Sequence, residues 1–199
     1  MPRVTRRGAL VHLLSWTAGL AAVRIARGQG RQGLDQFLQA PPCKDEKLTP
    51  SVAVDPPFRS DAPMRTSLVE PGMTGPRMRL SGYVIGLKCG RIKGARVDFW
   101  QADAAGVVPQ KGVRGRGRQL TDAEGRFTLE TVMPGAPAGR ARRLSARVEP
   151  PGKPALTTVL FFPGDPAAAK EKAFAPSLVM RRVVGVKPDT YAFDFVLDL

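Results

Sequence analysis

The stretch RLSGYVIGLKCGRIKGARVDFW, residues 79–100, decides the fold. Leu80, Gly82 and Val84 alternate with Ser81, Tyr83 and Ile85. After a turn at Lys88–Gly94, Ala95, Val97 and Phe99 alternate with Arg96, Asp98 and Trp100. A period of two sends successive side chains to opposite faces, so the stretch reads as two strands, each with one face turned to a core. The same alternation returns at Phe127, Leu129 and Thr131 and at Tyr191, Phe193, Phe195 and Leu197, and further strands are expected at 142–149, 155–162 and 177–185. Turn signals at Ala104–Gly106, Asp122–Gly125, Pro134–Gly139, Pro150–Pro154 and Pro163–Asp165 separate them. About seven to eight short strands with no long helix read as an all-β, antiparallel β-sandwich over residues 78–199. Ala167–Lys172 (AAAKEK) has room for one or two helical turns in a crossing loop.

Composition agrees with that reading. The chain has 199 residues, enough for one domain of ordinary size. Gly 21 and Pro 19 together make about a fifth of it, which suits turns and strands better than helices. An apolar fraction of 43% with 24% charged residues supports a packed core and excludes disorder over the whole length. Two cysteines are too few for a disulfide scaffold. The single histidine, His12, excludes any histidine-rich metal site.

The N-terminus reads as an export address. Arg3, Arg6 and Arg7 precede the uncharged, mainly apolar run Gly8–Val23, and TRRGAL resembles a twin-arginine signal. A run of 16 residues is short for a membrane span, which needs roughly 20. Ala26 and Gly28 are small residues placed for a cut before Gln29; an uncleaved membrane anchor is the alternative. Removing residues 1–28 takes away five arginines and no acid, lowering the formal charge from +14 to +9, and His12 leaves with them. The expected location is periplasmic or extracellular, with no membrane association after cleavage. In an oxidising compartment Cys43 and Cys89 are expected to form a disulfide, worth on the order of 4 kcal/mol for so long a loop; two separate buried thiols are the alternative. Residues 29–77 are studded with proline and lack periodicity. They read as an extended arm laid over the domain, with a short helix at Leu34–Leu38 as an option.

An ordered series of segments resembles the intradiol ring-cleavage dioxygenases, which open catechols between their two hydroxyls. In the arm these are Cys43, Leu48-Thr49-Pro50 and Pro56-Pro57-Phe58 followed by Arg59-Ser60-Asp61. Next come Leu80–Val84 and Cys89–Gly106, in which a strand ends in Trp100 and a turn follows at Asp103–Gly106. Arg114–Arg118, Thr121–Phe127, Pro134-Gly135, Leu156–Thr158 and Phe161–Asp165 complete the series, so that the resemblance covers roughly residues 43–199.

The resemblance implies a ferric ion held by two tyrosines and two histidines, the histidines two apart on one strand so that both reach one metal. Carried over residue by residue, those positions hold other side chains here. The first tyrosine would follow Gly106, where Val107-Val108 stand. The second would follow Pro134-Gly135, where Ala136-Pro137 stand. The histidine pair would lie three and five residues beyond Arg140, at Arg143 and Ser145. The replaced metal positions are thus Val108, Pro137, Arg143 and Ser145. Tyr83 and Tyr191 lie mid-strand and match neither tyrosine position. A positive Arg143 would repel Fe(III).

The expectation is a non-catalytic member with no cofactor, or Fe3+ if the family chemistry is retained. Its role would be scaffolding or the binding of a small anionic or aromatic ligand. Candidate ligand-binding residues are Arg140, Arg143 and Ser145, joined by Arg114 and Arg116 from the loop that borders the same place in the family. A solvated basic face is the plainer account of these arginines. A homo-oligomer, or pairing with an active paralogue, is open. The alternatives in function are an active Fe(III) intradiol dioxygenase acting on catechol-type rings, and a polyanion-binding basic module. The second lacks exposed stacking aromatics, so nucleic acid is not an expected partner. A metal set drawn from Asp55, Asp61, Asp98 and Asp103 has no spacing to recommend it.

Overall fold

The computed structural model describes residues 47–88 and 90–199. The export segment, the optional helix at Leu34–Leu38 and the Cys43–Cys89 bridge lie outside the described residues. Nine strands form two sheets: β1 (Arg77–Gly86), β2 (Arg96–Trp100), β3 (Arg116–Leu120), β4 (Arg126–Val132), β5 (Arg143–Glu149), β6 (Leu156–Phe161), β7 (Arg181–Val183), β8 (Asp189–Ala192) and β9 (Phe195–Leu197). One sheet runs β4-β1-β8-β7, with β9 continuing beside β1, and the other runs β3-β2-β5-β6. The architecture is the expected β-sandwich. Its pairing is antiparallel except that β8 and β9 lie parallel to β1.

The alternation in residues 79–100 builds the core. Leu80 and Val84 of β1 and Val97 and Phe99 of β2 point inward and are fully buried. The rings of Phe99, Phe127 and Phe195 stand 5.4–6.4 Å apart between the sheets, and Phe193 packs edge-on at 5.1 Å from Phe195. Aromatic rings bury large areas in such offset pairs, so this cluster is the thermodynamic centre of the fold.

Three elements differ from the reading of the sequence. Arg116–Leu120 is a strand and not part of a loop. Within 177–185 only Arg181–Val183 extends as a strand, after a 3-10 turn at Pro176–Leu178. The expected strand at 191–197 breaks into β8 and β9. The carbonyl oxygen of Phe193 lies 1.6 Å from where a Cβ on Gly82 would stand, so the chain collapses onto the bare glycine backbone. At the break the Asp194 carboxylate replaces a ladder carbonyl and accepts the Tyr83 N–H at 3.0 Å. Ala167–Lys172 contains one 3-10 turn, Ala168–Lys170.

The arm crosses the open side of the sandwich. Met64 pairs with Arg118 of β3 and Ser67 with Glu130 of β4, the outermost strands of the two sheets on that side. Edge strands with unpaired N–H and C=O groups invite association, and the arm satisfies some of these groups. Leu68, fully buried, closes the core beneath it.

Candidate functional site

The outward face of the β3-β2-β5-β6 sheet holds the site. Because Val97, Phe99, Leu144 and Ala146 face the core, their strand neighbours Asp98, Trp100, Arg143, Ser145 and Arg147 face outward. Register places Arg116, Trp100 and Ser145 in one row across three strands. The arm covers that row: the Trp100 indole N–H donates to Pro56 O at 2.8 Å, Phe58 lies 6.0 Å from the Trp100 ring, and the Arg147 guanidinium sits 4.5 Å over Phe58. Arg65 Nε donates to Arg116 O at 2.8 Å, and Arg118 donates to Ser60 O.

Two loops close in from the side. Gly106 has φ +83°, which favours glycine, and a Cβ on it would lie 2.3 Å from Ala136 O. A Cβ on Gly135 would lie 2.3 Å from Gly106 N. This mutual close approach, with Gly135 N donating to Asp103 O at 2.7 Å, pins the loop bearing Val108 to the loop bearing Pro137. Pro137 O in turn accepts the Arg140 N–H at 2.9 Å, which ties both loops to the entrance of β5. Val108, Pro137, Arg143 and Ser145, the positions read from the motifs as replaced, thus lie on two loops and a strand that these backbone contacts link.

A carboxylate that the motifs did not single out organises the centre. Glu171, from the loop after Ala168–Lys170, accepts from Arg143 Nη1 at 2.9 Å, from Arg140 Nη2 at 3.1 Å and from Ala141 N at 2.9 Å. Asp55 of the arm completes the network: its carboxylate accepts from Arg140 at 3.1 Å and its carbonyl from Arg143 Nη2 at 3.3 Å. Arg143 is only 8% exposed and Glu171 10% at the side chain. Burial raises the Glu171 carboxyl, but hydrogen bonds from Arg140 and Ala141 and the charges of both arginines outweigh it and hold the group below the usual carboxylate range. Burial first, then repulsion by Arg140, moves the Arg143 guanidinium below its ordinary value.

The other candidates stand apart from this network. Arg116 is buried, and burial followed by the nearby Arg59 charge lowers its guanidinium, with Asp61 partly offsetting. Arg114 is exposed beside it. Tyr83 lies on the outer face of the other sheet, flanked by the guanidiniums of Arg91 and Arg126 at 5.5 and 5.6 Å. Tyr191 faces the core against Phe162, and burial followed by the Asp189 charge pushes its phenol up, away from the phenolate a ferric ion requires. The four aspartates go to separate tasks: Asp55 to Arg140, Asp61 to Arg59, Asp98 to Arg96 and Arg118, and Asp103 to the N–H groups of its own turn. Among the described residues no three His, Cys, Asp or Glu come together as a metal-holding group.

The side chains at the four positions read from the motifs, Val108, Pro137, Arg143 and Ser145, do not fit a ferric ion. Valine and proline offer no side-chain donor atom, a guanidinium has hydrogens where a ligand needs lone pairs, and the serine hydroxyl is one weak ligand. The cluster is instead a charge-compensated ion-pair network joining the arm, β5 and the Glu171 loop. Glu171 stands in the sequence as a lone acid in the stretch AAAKEK, and only the fold brings it to the buried Arg143, which requires a carboxylate.

A dioxygenase family model matches residues 55–149. The dioxygenase domain of a dioxygenase–carbohydrate-binding protein fusion from Streptomyces sp. SirexAA-E is 41% identical, with a TM-score of 0.73 over 77% of this chain and 99% of that one. The protocatechuate 3,4-dioxygenase beta chain of Burkholderia cepacia is 27% identical over 155 residues, 63% of this chain. That match spans 64% of the relative, less than two thirds of its length. The 3-chlorocatechol 1,2-dioxygenase of Rhodococcus opacus 1CP, 22% identical, shares the fold with a TM-score of 0.66, covering 75% of this chain and 72% of its own.

Proposed function

We propose that this chain, which belongs to the intradiol ring-cleavage dioxygenase family, is a non-catalytic member that keeps the sandwich as a binding or scaffolding module. The observation that carries the reading is the Arg143–Glu171 ion pair, 2.9 Å long and buried, on the strand face where the family would present imidazole to iron. A metal there would have to displace a guanidinium from its carboxylate, at a cost of several kcal/mol for the charge left unpaired. No step of oxygen chemistry is assigned to these residues. Arg140 and Arg143, candidates for direct ligand recognition, spend their donors on Glu171 and Asp55, so a ligand would meet the network from outside. Residues 1–28 are read as a twin-arginine signal that delivers the folded protein outside the cytoplasm.

The test is iron content and visible spectrum after purification from an exporting host and after reconstitution with Fe(III), with ring cleavage assayed on catechol and protocatechuate. The expected outcome is colourless protein, iron far below one equivalent and no cleavage. A tyrosinate-to-ferric band with cleavage overturns the reading and restores the active enzyme.

A further inference from the structure

Beside the Glu171 network lies an open groove of about 440 Å³, built by three separate segments: the arm at Ala53, the entrance of β5 at Gly139 and Arg140, and the loop from Ala167 to Ala173. Glu171 spends its carboxylate inward, on Arg143, Arg140 and Ala141 N. Its neighbours Lys170 and Lys172 are exposed and line the groove, and neither has a carboxylate within ion-pairing distance among the described residues. Arg140 keeps 37% of its side chain exposed there. Four cations (Arg140, Arg143, Lys170 and Lys172) thus face two carboxylates (Glu171 and Asp55), an excess of two positive charges. Asp165 does not line the groove, and its two oxygens accept the backbone N–H groups of Ala167 and Arg142. Small side chains, Ala53 and Ala167, leave the space between the cations open.

We propose that this groove binds a small dianion, a phosphate or a dicarboxylate, between Lys170, Lys172 and the exposed edge of Arg140. A dianion matches the excess charge, which a single carboxylate would leave half compensated. The groove is shallow enough for water to reach both lysines, so binding weakens as salt is raised. The inference rests on the reading of the fold as a non-catalytic binder and names the ligand class of that binder. It places recognition on two lysines outside the family motifs.

Calorimetry at low ionic strength on the purified protein tests it with three probes: inorganic phosphate, succinate and benzoate. One of the two dianions is expected to bind saturably, about tenfold or more tighter than benzoate. Phosphate binding tighter than succinate assigns a phosphate ligand, and the reverse a dicarboxylate. Lys170→Ala/Lys172→Ala should weaken the tighter probe about tenfold or more, whereas Lys111→Ala/Lys153→Ala, an exposed pair outside the groove, should change it less than about twofold. No saturation by about 10 mM dianion, benzoate binding as tightly, or equal losses in the two double variants overturns the proposal. Iron uptake and ring cleavage are read on the same preparations and do not involve either lysine. A colourless protein that ignores dianions therefore loses this site and keeps the non-catalytic reading, whereas an iron-loaded, active one loses the reading itself.

Discussion

Glu171 is the residue on which the site turns. It is one carboxylate serving two guanidiniums and a backbone N–H in a nearly dry position, so removing its charge leaves the buried Arg143 with only Asp55, shared with Arg140, to compensate it. Glu171→Gln is expected to lower stability by about 3 kcal/mol at pH 7, measured by urea unfolding. Arg143→Met/Glu171→Leu, which removes both charges and keeps the volume, should cost far less than the single change. The sign of the pH dependence follows from the folded carboxyl lying below its unfolded value of about 4.3. Its contribution is fully present above that unfolded value and is lost as the pH falls through the folded one. Wild-type stability should therefore drop on acidification below about pH 4, and the drop should be smaller in Glu171→Gln.

Among the elements, β3 and the β8–β9 break carry the lesson about reading strands. Arg114–Arg118 alternates arginine with glycine and reads as a polar loop, yet it extends because its inward contact comes from elsewhere in the chain. A Cβ on Gly117 would lie 2.6 Å from the Leu68 side chain, so the arm supplies the apolar surface that β3 lacks. The break at Phe193-Asp194 has the same kind of origin. An uninterrupted alternation from Tyr191 to Leu197 cannot reveal that a carbonyl will press on Gly82, 111 residues away in sequence. Gly82→Ala places a methyl group against backbone atoms that have no rotamer escape, and should cost about 3 kcal/mol or more in the urea midpoint, or prevent folding. Val84→Ala, a cavity in the same strand, should still fold with a loss of about 2 kcal/mol.

At the scale of the molecule, the arm makes a two-layer sandwich into a closed unit. It bridges β3 and β4, covers Trp100 and delivers Asp55 to the ion-pair network. A chain that must fold before crossing a membrane would need such a closed unit, and the proposed twin-arginine route demands that order. Arg6→Lys/Arg7→Lys is expected to hold the protein in the cytoplasmic fraction, while the unaltered chain is recovered outside it with Gln29 as its first residue by mass spectrometry. Recovery of the altered chain outside at the unaltered level would remove the twin-arginine reading.

The sandwich and the two principal strands within residues 79–100 were legible in the sequence alone, because they rest on local alternation and turn residues. Tertiary structure alone decided that β8 and β9 run parallel to β1, that Arg116 opens a strand, and that Arg140 and Arg143 are already neutralised. Each of these depends on segments distant in the sequence: β8 and β9 reach β1 from 111 residues away, the arm reaches β3, and Glu171 lies 28 residues beyond Arg143. The physical reason is that buried charge has no local signature. Arg143 shows in the chain as one more basic residue, and only packing reveals the carboxylate that makes its burial possible.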